Sequence, residues 1–324
     1  MKKLAVILFI NIALFVLVIQ ACKKEKTPTN PTPVTSTNQL SYFKIFTGTM
    51  ANLNPASGFQ PYSVASALFS DYAEKQRLIK IPAGTKLTTS GDGLLQFPDG
   101  TVIVKTFYYY ADVSNPGLGK KIIETRLLQL KSGVWSVSTY KWRDDQSDAD
   151  LVKDTGDTLA VSWKNATGTT QQISYQIPSV ANCKTCHYSN NTVVPIGLKA
   201  RNLNFDITVS GNKVNQLAYL SSLNLLTYSG TITSVPDYND LTADLSARGR
   251  AYLDINCAHC HNATGSASTT RVHFDYGLTL DQTGITSFKS DILDEMQTHK
   301  MPLIGTTIVH TEGVALIQQY LNSL

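Results

Sequence analysis

The chain has 324 residues, 42% of them hydrophobic, and 28 Lys and Arg against 24 Asp and Glu, a formal net charge of +4. So slight an excess, much of it near the amino terminus, excludes the dense basic stripe of a nucleic-acid binder, and the length is enough for two domains.

Lys2 and Lys3 precede an apolar run from Leu4 to Ile19 that only Asn11 interrupts. The run is short for a membrane span of about 20 residues and normal for the h-region of a signal peptide. It ends at Val18-Ile19-Gln20-Ala21-Cys22. That string resembles the lipobox of bacterial lipoproteins, although Gln20 is atypical and Leu is commoner where Ile19 stands. The resemblance implies a signal peptide over 1–21 and an acylated Cys22 that anchors an exported protein to the outer or inner membrane, facing periplasm or cell surface. The alternative is a plain signal peptide that leaves Cys22 as a free thiol. Residues 22–39 are basic, then rich in Pro, Thr and Asn, and read as a solvated tether.

Residues 40–200 read as β. Asp99-Gly100 leads into the β-branched and aromatic run 101–110, and further strands are expected over 122–130, 134–142, 159–163 and 172–177. Short strands at turn-bounded intervals point to a sandwich or barrel. Tyr108, Tyr109, Tyr110, Trp135, Tyr140 and Trp142 form an aromatic crowd read as core rather than as a cofactor box, since aromatics dominate β cores. The acidic loop with Asp144, Asp145, Asp148 and Asp150 fails the EF-hand spacing, because Ala149 stands where Gly is needed and Thr155 where Glu is needed.

The β region closes on Cys183-Lys184-Thr185-Cys186-His187, and the pentapeptide pattern recurs at Cys257-Ala258-His259-Cys260-His261. C-x-x-C-H is the attachment signature of c-type haem, in which two thiols bond one porphyrin edge and the adjacent histidine holds the iron. Two such motifs imply two covalently bound haem c groups with His187 and His261 as proximal ligands. Zinc knuckles or dithiol pairs are the alternative. Zinc ribbons place their second pair about 15–20 residues after the first, and Cys257 lies much further from Cys186. If Cys22 is acylated, no thiol remains for a disulfide, the default use of cysteine outside the cytoplasm.

Residues 201–240 read as a connecting segment, with a short helix expected over 217–226. Beyond it, Leu245, Gly249 and Leu253 repeat at helical spacing over 241–257, and 312–324 is an amphipathic helix. Here the sequence resembles a class I cytochrome c domain. In that family a helix bearing Gly eight residues before the first haem cysteine crosses a C-terminal aromatic helix, and Gly249 and Tyr320 stand in those places. The fold expected is therefore α+β and multidomain, an all-β sandwich or barrel-like domain followed by a mainly α cytochrome c-like domain over 241–324.

Met301-Pro302 resembles the Met-Pro ligand loop of cytochromes c, which implies Met301 as sixth ligand of the second haem, with Met296 and His299 as alternatives. The first motif lacks an obvious distal partner; Lys105, Tyr140 and His273 are the candidates. Its late C-x-x-C-H after a Phe97-Pro98-Asp99-Gly100-Thr101 strand is weakly similar to β-sheet cytochromes of the c′-beta type, which implies an open, five-coordinate iron.

Pro61-Tyr62, Leu68-Phe69-Ser70-Asp71-Tyr72-Ala73, Phe97 to Thr101, Glu124 to Leu128, Arg250 to His261 and Met301-Pro302 together resemble a family of exported bacterial dihaem proteins. Its members occur alone or beside quinoprotein or carbohydrate-related dehydrogenase modules. The resemblance implies a lipid-anchored electron carrier working with such a redox partner. A haem redox enzyme or a gas sensor acting at an open first haem is the alternative, and a carbohydrate-binding β module a distant third. Neither a G-x-S-x-G elbow nor paired catalytic carboxylates supports hydrolysis.

Overall fold

The structure is a computed structural model describing residues 37–324. The expected signal peptide, Cys22 and the tether up to residue 36 lie outside the described residues.

Gly100 adopts a left-handed φ of +87°, where a Cβ would stand 2.8 Å from the Pro82 ring, and so turns the chain into its most apolar strand. That strand is central to one open antiparallel sheet. The sheet contains β1 (Phe59–Pro61), β2 (Glu74–Lys80), β4 (Val102–Tyr110), β5 (Lys120–Lys131), β6 (Val134–Trp142) and β7 (Ala149–Leu151), in the order β1-β2-β4-β5-β6-β7. β3 (Leu87–Thr89) pairs in parallel with β14 (Leu226–Tyr228). Three hairpins complete the strands: β8 (Asp157–Lys164) with β9 (Thr170–Ile177), β10 (Tyr188–Ser189) with β11 (Thr192–Val193), and β12 (Asp206–Val209) with β13 (Asn212–Asn215).

Both faces of the central strands are covered, so β4 is apolar along most of its length and β5 buries Ile122, Ile123, Leu127, Leu128 and Leu130 on its two faces. Val104 and Leu127 meet Leu40, Ile45, Tyr140 and Trp142 on one face. On the other, Ile103 and Leu128 pack on Leu198 and Leu203, while Phe107 and Ile123 pack under Val161, Trp163, Tyr175 and Ile177 of the β8–β9 hairpin. The expected sandwich or barrel is thus an open sheet, covered on one side by a hairpin at one end and by helices and loops at the other.

The helices are α1 (Val180–Cys186), α2 (Ala200–Leu203), α3 (Gln216–Ser222), α4 (Leu245–Asn256), α5 (Leu280–Thr283), α6 (Lys289–Gln297) and α7 (Thr311–Asn322). No helix among the described residues is long and apolar enough to cross a membrane. The close approach read from the sequence is present: α4 crosses α7 with Gly249 against Tyr320.

The fold class read from the sequence is corrected. The chain is mainly β, with 14 strands and 24% helix among the described residues, and a mainly α cytochrome c-like domain is not seen. Helical periodicity located α4 and α7, but it carries no information on whether the helices close a core of their own. Residues 257–279 and 298–310 run between them as turns and bends. Leu68, Ile196 and Tyr238, from earlier in the chain, pack with Leu253, Ile317 and Tyr320. Phe69 N–H donates to Asn256 Oδ1 at 2.8 Å, and Lys199 pairs with Asp254 at 2.7 Å. Residues 37–324 accordingly form one unit.

Candidate functional site

The first C-x-x-C-H pentapeptide closes α1, with Cys183 and Cys186 in the helix and His187 at its C-cap, and the second follows α4 directly as turns, with Cys257 at the C-cap. Ser179 caps α1, its Oγ accepting from Asn182 N–H at 3.1 Å, and Asp244 caps α4, accepting from Ala247 N–H at 2.9 Å. Both motifs then make the same turn: His187 N–H donates to Cys183 O, and His261 N–H to Cys257 O, each at 2.9 Å. In the first motif a helical turn brings positions i, i+3 and i+4 to one side, so Cys183, Cys186 and His187 share a face, and the second motif closes the same main-chain bond as a turn.

The fold brings the two motifs together. Cys186 Sγ, a ring nitrogen of His259 and Cys260 Sγ all lie within 4.8 Å of one another. Beside them, Ser189 Oγ is 2.8 Å from Thr264 Oγ1, and Asn190 N–H donates to Thr264 O at 3.2 Å. The Cys186 thiol hydrogen-bonds to Cys260, which holds the Cys260 thiol below its ordinary range and raises that of Cys186. Burial pushes Cys183 up, and Cys257 up to about 12. His259 Nδ1 is buried without a hydrogen-bond partner.

No family model, curated protein or solved structure matches the chain.

Both motif histidines are oriented from one nitrogen. His187 Nδ1 is 2.7 Å from Val194 O, a pure acceptor, so Nδ1 carries the proton and Nε2 keeps a free lone pair. Burial, with Lys105 nearby, pulls the His187 pKa down to about 3, so the ring is neutral at neutral pH. His261 Nδ1 is 3.1 Å from Thr270 Oγ1, whose own proton goes to Ala267 O at 2.8 Å. Nδ1 of His261 is therefore the donor as well, and burial again lowers the pKa. This is the habit of metal-binding histidines, in which a fixed Nδ1–H presents Nε2 to the metal.

The donor set fits two haem c groups: four free cysteines at the attachment spacing and two neutral histidines with Nε2 available. Cys183 and Cys186 would bond one group with His187 beneath it, and Cys257 and Cys260 the other with His261. A single metal ion held by Cys186, His259 and Cys260 would leave Cys183, Cys257, His187 and His261 unused.

The remaining candidates separate. Met301 stands on the exposed turn after α6, its N–H donating to Glu295 O at 3.0 Å, whereas Met296 packs against the core around Tyr252 and Ile292. His299 is 3.1 Å from Thr306 Oγ1 through its Nε2. Tyr140 is buried on the sheet face opposite Thr139, and its hydroxyl donates to Thr37 O at 2.8 Å. His273 belongs to the turn after the second motif and gives Nε2 to Ser268 O at 3.2 Å. Of the residues considered for the first motif's distal side, only Lys105 lies on the sheet face that carries Thr139, beside Cys183.

Sequence reading missed the meeting of Cys186 with Cys260, the orienting roles of Val194 O and Thr270, and a line of cations across the sheet. The cations did leave a signal. Lys105 is the one charge in β4, and Arg126 lies in the half-buried middle of β5, where a charge needs a reason.

Proposed function

We propose that the chain is an exported, lipid-anchored dihaem c-type cytochrome that passes single electrons between an exported oxidoreductase, such as a quinoprotein or carbohydrate-related dehydrogenase, and a respiratory acceptor. The observation that carries this reading is the contact between the two attachment motifs through Cys186 and Cys260. Both are second cysteines of their motifs, so the bonded edges of the two groups would face each other across one sulfur pair. The haem iron supplies one-electron chemistry when bound, and the protein sets its potential and access. Val194 O and Thr270 Oγ1 hold the two imidazoles in register for ligation.

A second reading, a redox enzyme or a small-ligand sensor at the first site, is favoured by one observation. Tyr140 and His273 are committed elsewhere, which would leave only Lys105 of the residues considered for the distal side of a first haem. The primary test is the intact mass and the metal content of protein made in a host with a haem-attachment pathway. Two covalent haems are expected, one lost on Cys183→Ala/Cys186→Ala and the other on Cys257→Ala/Cys260→Ala. One zinc per chain and no haem would replace the proposal with a structural metal clasp at Cys186, His259 and Cys260.

A further inference from the structure

Three adjacent strands carry a cation at the same level of the sheet. Arg77 on β2 stands opposite Lys105 on β4, and Lys105 stands opposite Arg126 on β5. The next partner, on β6, is Thr139, whose hydroxyl lies 4.0 Å from Cys183 Sγ. Directly opposed residues share a face, so the row runs across the sheet and ends under the first attachment motif.

Only one end of the row is neutralised. Glu124 takes Arg126 in a two-point pair, Nη2 to Oε1 at 2.5 Å and Nε to Oε2 at 3.0 Å, and also accepts the Tyr175 hydroxyl at 2.6 Å. Arg77 and Lys105 have no ion-pair partner among the described residues. Lys105 Nζ instead lies 4.9 Å from the centre of the Phe107 ring, against which Arg126 also packs. Burial and the neighbouring Arg77, Lys75 and Arg126 hold the Lys105 pKa well below the usual lysine range. Two half-buried cations side by side, without an anion, are costly in an isolated chain. An anion of matching charge would offset that cost.

We propose that Arg77 and Lys105 receive the propionate carboxylates of the haem attached at Cys183 and Cys186. This rests on the haem reading above and names the group's orientation. In haem c the thioether bonds lie on one edge of the porphyrin and the propionates on the opposite edge. The protein offers matching ends: a cysteine over Thr139, and free cations three strand spacings away at Arg77, about 14 Å at 4.8 Å per spacing. Two carboxylates meet two unpaired cations, while Glu124 already holds Arg126 beneath the middle of the span. The other source of the same chemistry is a diffusible oxyanion such as nitrite.

The test uses the haem-loaded protein with Lys105→Gln, Arg77→Gln and the charge-keeping Lys105→Arg. Resonance Raman should show shifted propionate bands for one haem in the Gln variants, with covalent haem content unchanged. Removing a cation favours the ferric iron. The same haem's ferrous-to-ferric ratio at fixed ambient potential should therefore fall about tenfold, equivalent to about 59 mV for one electron. Lys105→Arg should keep both parental values, which separates charge from general disruption. Parental propionate bands and potential in both Gln variants would overturn the assignment. So would a nitrite-induced spectral change in the parent that Lys105→Gln abolishes, since the row would then serve a diffusible anion. Parent protein without haem on Cys183 and Cys186 would instead bring down the haem reading and the assignment with it.

Discussion

Tyr320 fills the space where a Cβ on Gly249 would stand, its Cγ only 2.5 Å from that point. Tyr320 is 1% exposed and sits among Leu253, Leu316 and Ile317, so the ring has nowhere to retreat. The α4–α7 crossing is therefore set by a missing methyl group. Gly249→Ala should lower stability by about 1–3 kcal/mol, the usual cost of overpacking a filled core, despite the better helix propensity of alanine. Denaturant titration of both proteins checks this; an unchanged or raised midpoint would show that α7 moves away freely.

Anchoring gives a prediction from sequence alone. If Cys22 is the acylated first residue of the mature chain, Cys22→Ser should release the protein from membranes or block its processing. Fractionation and the mass of the mature amino terminus are the measurements. Correct cleavage with unchanged membrane retention in the variant would leave a plain signal peptide as the account of residues 1–22.

The elements of this fold were largely legible and their assembly was not. The β-branched and aromatic run gave β4, and Leu245, Gly249 and Leu253 gave α4, because strand and helix periods are local properties. Whether α4 and α7 build an independent domain depends on contacts with Leu68, Ile196 and Tyr238, and no periodicity records those. The site divides the same way. Each C-x-x-C-H was visible as a spacing, but the closeness of Cys186 to Cys260 arises only when the β10–β11 hairpin packs on the Thr264 turn.

The His310 ring should make stability depend on acid. It stacks on Phe69 at 4.0 Å, lies 3.0 Å from the Tyr252 hydroxyl through Nδ1, and burial pulls its pKa down to about 4 from 6.5. Above about pH 6.5 the ring is neutral in both folded and unfolded chains and contributes no pH dependence. Below that, the unfolded chain binds the proton first, so stability is lost as pH falls from about 6.5 to 4 and the loss then levels off. Thermal unfolding measured across this window should show the decline, and His310→Gln should flatten the part due to this ring. A slope identical in parent and variant would assign the acid sensitivity to other groups.

If the chain carries two haems, Met301 should distinguish them. It stands on an exposed turn whose far end is fixed where Thr307 gives its N–H to both Asp71 oxygens at 2.9 Å and its hydroxyl to Oδ2 at 2.8 Å. A thioether opposite a histidine favours ferrous iron and raises the potential. If Met301 ligates the second haem, Met301→Ala should remove the weak charge-transfer absorption at the red end of the oxidised spectrum and lower one potential, with covalent haem content intact. Carbon monoxide adds to an iron with a vacant site, so it should bind about half of the reduced haem in the parent and nearly all of it in Met301→Ala. His187→Ala should abolish the parental fraction and leave the Met-ligated signature in place. Should the parent resist carbon monoxide entirely, both irons are closed, and the enzyme or sensor reading loses its physical basis to the electron relay. A spectrum and potential unchanged by Met301→Ala would move the sixth ligand to Met296 or His299.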